Sequence, residues 1–172
     1  MTNQINHFQM KRATEKDTTE ILTLLLNTAK WFQEKGFMQW NALLEGIDSH
    51  HTEEKILNGD VFVYRCDGII AGMVMLLQSP SEWDEKLWGK LSMDDDVIYL
   101  HRIAINRKYA NEGLGEKILK WAGQRNLFEG KHRIRLDCLA QNAFLNTYYE
   151  NAGYTYLGEK NGYSLYERET SS

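Results

Sequence analysis

Residues 97–139 hold the pattern that most restricts how this chain can fold. An apolar run, VIYLHRIAI, is followed by a turn with two glycines, by apolar residues at helical spacing, and by the alternating run RIRLDCL. Two strands of one sheet that are joined through a helix run parallel, and their crossover is right-handed in nearly all proteins. The sequence therefore predicts a βαβ unit in this stretch.

Most of the other strands are predicted to be antiparallel. VFVYRC and IIAGMVMLL flank Asp67-Gly68, which is typical of a type I′ hairpin turn, and Asn161-Gly162 indicates a second hairpin near the end of the sequence. Residues 8–12 are typical of an edge strand. The predicted fold class is α+β (mixed α/β), with a sheet that can splay at its one parallel pair and leave a slot there.

Three further helical stretches are expected. The first begins with a capping-box pattern, carries an apolar stripe at 3.6-residue spacing, and should end at Gly36. The second runs from about Trp40 to Leu57 and is followed by the polar residues 58–60, and the third begins at Asn142 and ends at Gly153. The cap and the stripe of the first helix are Thr14 and Asp17, then Ile21, Leu24, Leu25, Thr28 and Phe32.

Residues 78–96 are predicted to form a long polar connection that contains Trp83 and Trp88. Loops of this length within a compact domain are often functional. We therefore expect this segment to border a substrate.

The composition indicates one globular domain over residues 1–172, with 42% hydrophobic residues and a single proline. The net charge of -4 gives no basic field for nucleic acid, and it suits a cationic substrate better. The longest apolar run, residues 69–77, is too short to span a bilayer, and no signal sequence is apparent, so a cytoplasmic protein is expected. Cys66 and Cys138 are interpreted as reduced, buried strand residues.

The start of the crossover helix is a predicted anion site. The first amides of a helix lack partners within the helix, and the helix dipole places a partial positive charge there. In ANEGLGEK, Gly113 and Gly115 remove side chains where a diphosphate would approach the main chain.

Two segments resemble the general N-acetyltransferase (GNAT) superfamily. RIAINRKYANEGLGEKIL is similar to the family signature Q/R-x-x-G-x-G/A after a strand, and NAFLNTYYENAGY is similar to N-x-x-A-x-x-L-Y-x-x-x-G-F. The resemblance extends over about residues 10–167. Ala110 stands where Gln or Arg is usual, Leu145 replaces an alanine, and Tyr154 replaces a phenylalanine.

The resemblance implies the acyl-CoA N-acyltransferase fold, with about seven strands, about four helices and a splayed parallel pair. It implies acetyl-CoA as cosubstrate and no metal. Main-chain groups of the first strand of the parallel pair would bind the pantetheine arm, amides of the turn would bind the diphosphate, and the last helix would contribute two side chains. The implied cofactor-binding residues are Ile103, Ala104, Ile105, Asn111, Glu112, Gly113, Leu114, Gly115, Glu116, Asn142 and Tyr149.

By the same resemblance, a neutral amine attacks the thioester directly, and the N–H near Ala104 stabilises the oxyanion. A proton must first leave the amine, and His101 is the candidate base on this strand. Strand alternation puts His101 on the face of Tyr99 and Ile103. The alternative is that His101 only packs or hydrogen-bonds within the sheet. Asn142 is interpreted both as a helix cap and as a pantetheine contact.

Tyr149 is predicted to protonate the leaving thiolate, and the alternative is that it merely packs on the inner face of its helix. Glu34 and the acidic run 94–96 are a second-ranked set for binding a cation or relaying its proton. His50-His51 is not predicted to bind metal, because adjacent histidines on a helix point apart. Of the five residues Trp31, Phe32, Trp40, Trp83 and Trp88, the two in the 78–96 connection are the favoured walls of an acceptor pocket.

The predicted function is acetyl transfer from acetyl-CoA to a primary amine of a small molecule through a ternary complex. A protein lysine or N-terminal acetyltransferase is the alternative within the fold, and a non-catalytic acyl-CoA sensor is the alternative outside enzymes. Neither nucleic acid nor a membrane is an expected partner. A homodimer is considered, although the sequence does not define the oligomeric state.

Overall fold

The computed structural model describes residues 8–171. Its strands form one seven-stranded mixed sheet in the order β1-β2-β3-β4-β5-β7-β6. They are β1 (Lys11–Arg12), β2 (Val61–Cys66), β3 (Ile69–Leu77), β4 (Val97–Ile105), β5 (Arg133–Leu139), β6 (Thr155–Lys160) and β7 (Tyr163–Glu169). The helices are α1 (Thr18–Glu34), α2 (Asn41–Leu44), α3 (Thr52–Leu57), α4 (Glu82–Trp88), α5 (Leu114–Ala122) and α6 (Ala143–Asn151).

The fold class is confirmed as α+β with a parallel β4/β5 pair. The β1/β2, β2/β3, β5/β7 and β6/β7 pairs are antiparallel. Both predicted hairpin turns have two successive left-handed residues, with φ of 54° and 79° at Asp67 and Gly68 and of 53° and 86° at Asn161 and Gly162. These are the angles that a type I′ turn requires. The edge strand is shorter than expected, because only Lys11 and Arg12 of residues 8–12 are paired.

The chain divides into two compact units. The first comprises the described residues up to Met75 together with Arg102–Trp121, and the second comprises Leu76–His101 with residues 122–171. The prediction of a single domain over residues 1–172 stays a prediction.

The first unit contains α1, whose predicted apolar stripe is buried along its length. The capping box is present: Thr14 and Asp17 form it around a short 3₁₀ helix, Glu15–Asp17, that precedes α1. Gly36 follows the last turn with φ of 86°, the left-handed conformation that commonly ends a helix.

The single helix predicted from Trp40 to Leu57 is wrong, because α2 and α3 are separate short helices. Asp48 explains the break: its carboxylate accepts hydrogen bonds from the backbone amides of His50 at 3.2 Å and Thr52 at 2.8 Å. Such local side-chain bonds compete with the helical bonds of the main chain.

The long connection predicted at residues 78–96 is also wrong, because it folds into α4 and a 3₁₀ helix, Gly89–Met93. Ser81 caps α4 by accepting from the Asp84 amide at 3.2 Å, and the Asp84 carboxylate accepts from the Ser81 amide at 2.9 Å. This reciprocal S-x-x-D pattern was legible in the sequence.

The second unit buries Arg135, although the alternation of RIRLDCL predicts that this residue lies on the polar face of β5. Arg135 is fully buried, and its guanidinium donates to Asp94 at 2.6 Å, to Glu167 at 2.8 Å and to the Tyr99 hydroxyl at 3.1 Å. The guanidinium carbon lies 4.8 Å from the ring centroid of Trp88. Burial of this charged side chain is tolerated because its guanidinium is paired with two carboxylates and hydrogen-bonded.

Two of the three aspartates in the acidic run 94–96 form ion pairs with arginines. Asp94 pairs with both Arg133 and Arg135, and Asp96 pairs with Arg133 at 2.6 Å. These ion pairs lower the pKa of both carboxyls, so they stay charged at neutral pH. The second-ranked hypothesis that this run serves a cationic substrate is therefore not supported for Asp94 and Asp96.

Within residues 8–171, no helix is long and apolar enough to cross a bilayer. Cys138 is buried as expected, but Cys66 is only half-buried.

Replacing Arg135 with Met should lower the free energy of unfolding by about 2–3 kcal/mol, because Asp94 and Glu167 would lose an enclosed counter-charge. The loss is smaller than for a wholly enclosed pair, since both carboxylates are partly exposed. Urea denaturation measures it. The exposed Arg125→Met is the matched control and should change stability by less than about 0.5 kcal/mol. Equal stability of the two variants would contradict the assignment.

Candidate active site

The turn before α5 has the backbone of an anion site. Asn111 and Gly113 are left-handed, with φ of 64° and 74°, and the first bond of the helix is donated by Lys117 to the Gly113 carbonyl at 3.2 Å. Within the described backbone, no hydrogen bond outside the helices and strands is donated by an amide of residues 111–116. Alternating backbone conformations of this kind turn successive amides toward one concavity.

Gly113 lies on the open side of this turn. A Cβ built there would meet no atom within 4 Å, so the turn faces free space rather than packed protein. The positive φ still favours glycine at this position. The residues present therefore fit a ligand that approaches the main chain, such as a diphosphate.

Gly72 of β3 lies directly against side chains of α5. A Cβ at Gly72 would lie 2.7 Å from Ile118 Cδ1 and 3.3 Å from Leu114 Cδ2, and 3.2 Å from Ile105 Cδ1. The absence of a side chain therefore lets the first turns of the helix rest directly on the strand. We therefore expect a side chain at this position to displace the start of α5 and the turn before it.

The β4/β5 ladder is short. It pairs Val97 with Arg133, Ile98 with Ile134 and Tyr99 with Arg135. In the described second unit, both strands continue past this point without further pairs to each other, at residues 100–101 and 136–137. This is the parting that the sequence predicted for the parallel pair.

Arg102 interrupts the regular geometry of β4, because its φ is 54°. The alternation that placed His101 on the face of Tyr99 and Ile103 therefore does not run past His101. Arg102 is buried, lies 3.4 Å from Asp48 and stacks over Trp40 at 5.1 Å. Left-handed non-glycine residues within strands are often found beside functional sites.

His101 belongs to a polar cluster that the sequence did not predict as a whole. Its Nε2 lies 2.9 Å from Asp84 Oδ1 and 3.1 Å from Asp84 Oδ2, and both residues are buried. Donor atoms of Asp84, His101 and Asp137 lie within 4.8 Å of one another. Trp83 Nε1 donates to both oxygens of Asp137, at 3.3 and 3.2 Å. We call these four residues the His101 cluster.

Asp137 has an unusual pKa in this cluster. The residue is half-buried. Burial of its carboxyl disfavours the charged form, and this is the main cause that raises the pKa of Asp137 to about 6. The nearby Asp84 carboxylate acts in the same direction, while His101 and the Trp83 hydrogen bond oppose it. Alternation along β5 marked Asp137 as polar, and the S-x-x-D cap marked α4, but only the fold brings them together.

Two carboxylates and an imidazole are also a donor set that a divalent metal could use. However, the short Nε2 to carboxylate distance is that of a hydrogen-bonded pair, so the arrangement is explained without an ion. His50 and His51 lie outside this group. The expectation of no metal stays a prediction.

Tyr149 and Asn142 occupy the predicted places on α6. Asn142 is buried and its side chain accepts from the Leu145 amide at 3.0 Å, so the cap is confirmed. Tyr149 is buried, with its ring centroid 6.1 Å from those of both Tyr154 and Tyr166. Burial raises the pKa of Tyr149 well above its usual value, which keeps the phenol protonated. Packing and proton donation are both compatible with this position.

The predicted aromatic walls have different environments. Trp31, Phe32 and Trp40 form one ring cluster, with centroids 5.4 and 5.3 Å apart. Trp83 packs edge-on against Tyr163 at 4.8 Å and is half-buried. Trp88 is buried and covers Arg135, so it belongs to the core rather than to a pocket.

Comparison with known proteins agrees with this geometry. The profile of the acetyltransferase (GNAT) family matches residues 24–154. The chain belongs to this family and is an acetyl-CoA-dependent N-acetyltransferase, so the resemblance noted in the sequence is confirmed.

Particular relatives share most of their length with this chain. It is 42% identical over 161 residues to the uncharacterized N-acetyltransferase YesJ of Bacillus subtilis, covering 93% of this chain and 89% of that protein. A GNAT acetyltransferase structure from Listeria monocytogenes is 34% identical, with a TM-score of 0.83 and coverage of 97% and 99%. The PaiA N-acetyltransferase of Thermoplasma acidophilum, solved with coenzyme A, is 16% identical, with a TM-score of 0.72 and coverage of 95% and 99%. This last likeness concerns the fold alone.

A Gly72→Val variant should lose about 1–3 kcal/mol of stability and bind acetyl-CoA about tenfold more weakly, because the new side chain pushes the start of α5 off β3. Chemical denaturation and isothermal calorimetry measure the two effects. Val63→Ala on β2 is the control: it should cost comparable stability and leave the affinity unchanged. Unchanged affinity of Gly72→Val for acetyl-CoA would show that the packing of α5 on Gly72 does not affect cofactor binding.

Proposed function

We propose that this protein transfers the acetyl group of acetyl-CoA to a primary amine of a small molecule, within a ternary complex. The observation that carries the proposal is the turn at residues 111–116, where Asn111 and Gly113 are left-handed and, within the described backbone, no amide donates a main-chain hydrogen bond outside the helices and strands. A diphosphate is the ligand that such a turn suits best.

The cosubstrate contacts are proposed from the family resemblance together with this backbone. Amides of residues 111–116 would bind the diphosphate, and main-chain groups of Ile103, Ala104 and Ile105 would bind the pantetheine arm. Asn142 and Tyr149 would contact the arm from α6. Ala110 offers no long side chain, so the diphosphate would be bound mainly by the main chain.

The proposed reaction is a direct attack of the neutral amine on the thioester. The amide near Ala104 stabilises the oxyanion, and Tyr149 protonates the thiolate of the departing coenzyme A. A thiol has a pKa of about 8.5 and an ordinary phenol about 10, so this transfer is favoured only where burial also makes the thiolate more basic. Tyr149 is protonated before the reaction because of its burial.

His101, whose imidazole is paired with Asp84, is proposed to take part in removing the ammonium proton. An alkyl ammonium has a pKa of about 10, so the proton does not leave unaided near neutral pH. His101 lies on β4 two residues beyond the last β4/β5 pair, and Asp84 approaches it from α4. This location favours the catalytic interpretation over simple packing.

A small cationic acceptor is favoured over a protein substrate. The His101 cluster offers the half-buried carboxylate of Asp137 to an ammonium group, and the overall charge of -4 attracts cations. A protein lysine or N-terminus remains the alternative acceptor, and an acyl-CoA sensor is the non-catalytic alternative. The two free cysteines suit a reducing compartment, and we propose a cytoplasmic location. A homodimer is not required by this scheme.

The assay that tests the function follows coenzyme A thiol release from acetyl-CoA with spermidine, tobramycin and lysine amide, with mass spectrometry of the products. We expect release with at least one amine, an added acetyl group on that amine, and binding of acetyl-CoA in calorimetry. Binding without release from any amine would favour the sensor, and acetylation of peptides alone would favour the protein substrate.

A Tyr149→Phe variant should lower the maximal rate at least about tenfold while the acetyl-CoA affinity stays unchanged, because only the proton donor is removed. Steady-state kinetics and calorimetry separate the two quantities. Tyr148→Phe, on the neighbouring half-buried residue, is the control and should retain the full rate. Equal rates in both variants would remove Tyr149 from the mechanism.

A further inference from the structure

The members of the His101 cluster differ in their access to solvent. Asp84 is fully buried, and its Oδ2 already accepts from the Ser81 amide and hydroxyl at 2.9 and 3.0 Å. His101 is buried against it. Asp137 alone of the three titratable groups is half-buried rather than buried. An incoming ammonium can therefore reach Asp137 more readily than the other two.

The position of Asp137 along β5 gives a second argument. The β4/β5 ladder ends at Tyr99 and Arg135, and Asp137 is the next residue of the same strand parity, two positions beyond the last pair. Its carboxylate is fixed by the two Trp83 contacts, and Trp83 is itself braced edge-on by Tyr163. A carboxylate held in this way at the mouth of the parted strands is preorganised for a cation.

We propose that Asp137 binds the ammonium group of the acceptor and accepts its first proton, while Asp84 and Trp83 are positioning residues that hold His101 and Asp137. This proposal rests on the proposed function, and within it Asp137 rather than His101 is the first acceptor of the ammonium proton. In the step, an N–H bond of the ammonium breaks, its electron pair stays on nitrogen, and the proton bonds to a carboxylate oxygen of Asp137. Asp137, the half-buried member of the three, then returns that proton to solvent.

The proton balance is complete with the groups already described. Of the three ammonium hydrogens, one remains on the amide nitrogen of the product. One is released through Asp137. The last leaves the nitrogen after attack and replaces the phenol proton that Tyr149 gives to the thiolate.

The charges around Asp137 define how its activity depends on pH. Asp84 and His101 face it from α4 and β4, and three further groups, Cys138, Tyr149 and Tyr163, face it with pKa values that burial raises, so they remain neutral. With its pKa at about 6, Asp137 is ionised above that pH and is a stronger base than an ordinary aspartate. The value of kcat/KM should therefore rise as pH rises through about 6.

The test is Asp137→Asn, assayed with the amine of the panel that gives the fastest thiol release. We expect kcat/KM for the amine to fall about 100-fold or more at pH 7, with an unchanged dissociation constant for acetyl-CoA. The rise of kcat/KM through pH about 6, which we call the acid limb, should disappear. The deficit should shrink above pH 9, where free amine becomes abundant. The variant should fold, because it removes a carboxylate that burial disfavours, and thermal unfolding checks this.

Two variants separate catalysis from structure. Glu129→Gln, on an exposed carboxylate of the turn before β5, is the matched control and should keep the wild-type pH profile. Trp83→Phe keeps the ring but removes the donor that lowers the pKa of Asp137, so the acid limb should move to higher pH.

Wild-type kcat/KM in a folded Asp137→Asn variant, or an acid limb that Trp83→Phe does not move, would overturn the proposal. So would loss of wild-type activity on treatment with EDTA, which would assign the cluster to a metal. Failure of the proposed function is distinct, because wild-type protein would then release no thiol with any amine.

Discussion

The short parallel ladder between β4 and β5 is the constraint on which the candidate site depends. Three residues of each strand pair, and at that end Arg133 and Arg135 are held by Asp94, Asp96 and Glu167. This network of buried and half-buried ion pairs fastens the strands where they meet. Beyond this network, the main-chain groups of the two strands no longer pair with each other. A continuous ladder would have used these groups for hydrogen bonds between the strands.

Charged residues in the second unit have two separate tasks. Around Arg135, opposite charges are matched closely, so the side chain is stable in the core and its partners stay ionised. Around Asp137, burial is the main cause that raises the pKa of the carboxyl, and the nearby Asp84 carboxylate adds to it while His101 opposes it. The first arrangement is structural, whereas the second leaves a group able to exchange a proton near neutral pH.

Much of the fold was predictable because its signals are local. Asn-Gly and Asp-Gly turns, the capping box at Thr14, the stripe of α1 and the strand-turn-helix pattern all depend on neighbours in the sequence. The failures have physical causes. Asp48 divides the predicted second helix through its own hydrogen bonds, and the S-x-x-D cap at Ser81 begins a short helix in a largely polar segment, where no long apolar stripe marks it. Arg135 was misplaced because alternation cannot detect distant counter-charges.

The sequence by itself determined the two hairpins, the first helix, the crossover and the glycine turn before α5, since each follows from residues close together in the chain. It also marked Tyr149 and His101 as candidates. Only the tertiary structure decided which partners they have: Asp84, His101 and Asp137 are 17 and 36 residues apart in sequence, and no local pattern links them. Their proximity, and with it the shifted pKa of Asp137, arises from packing a helix and two parted strands together.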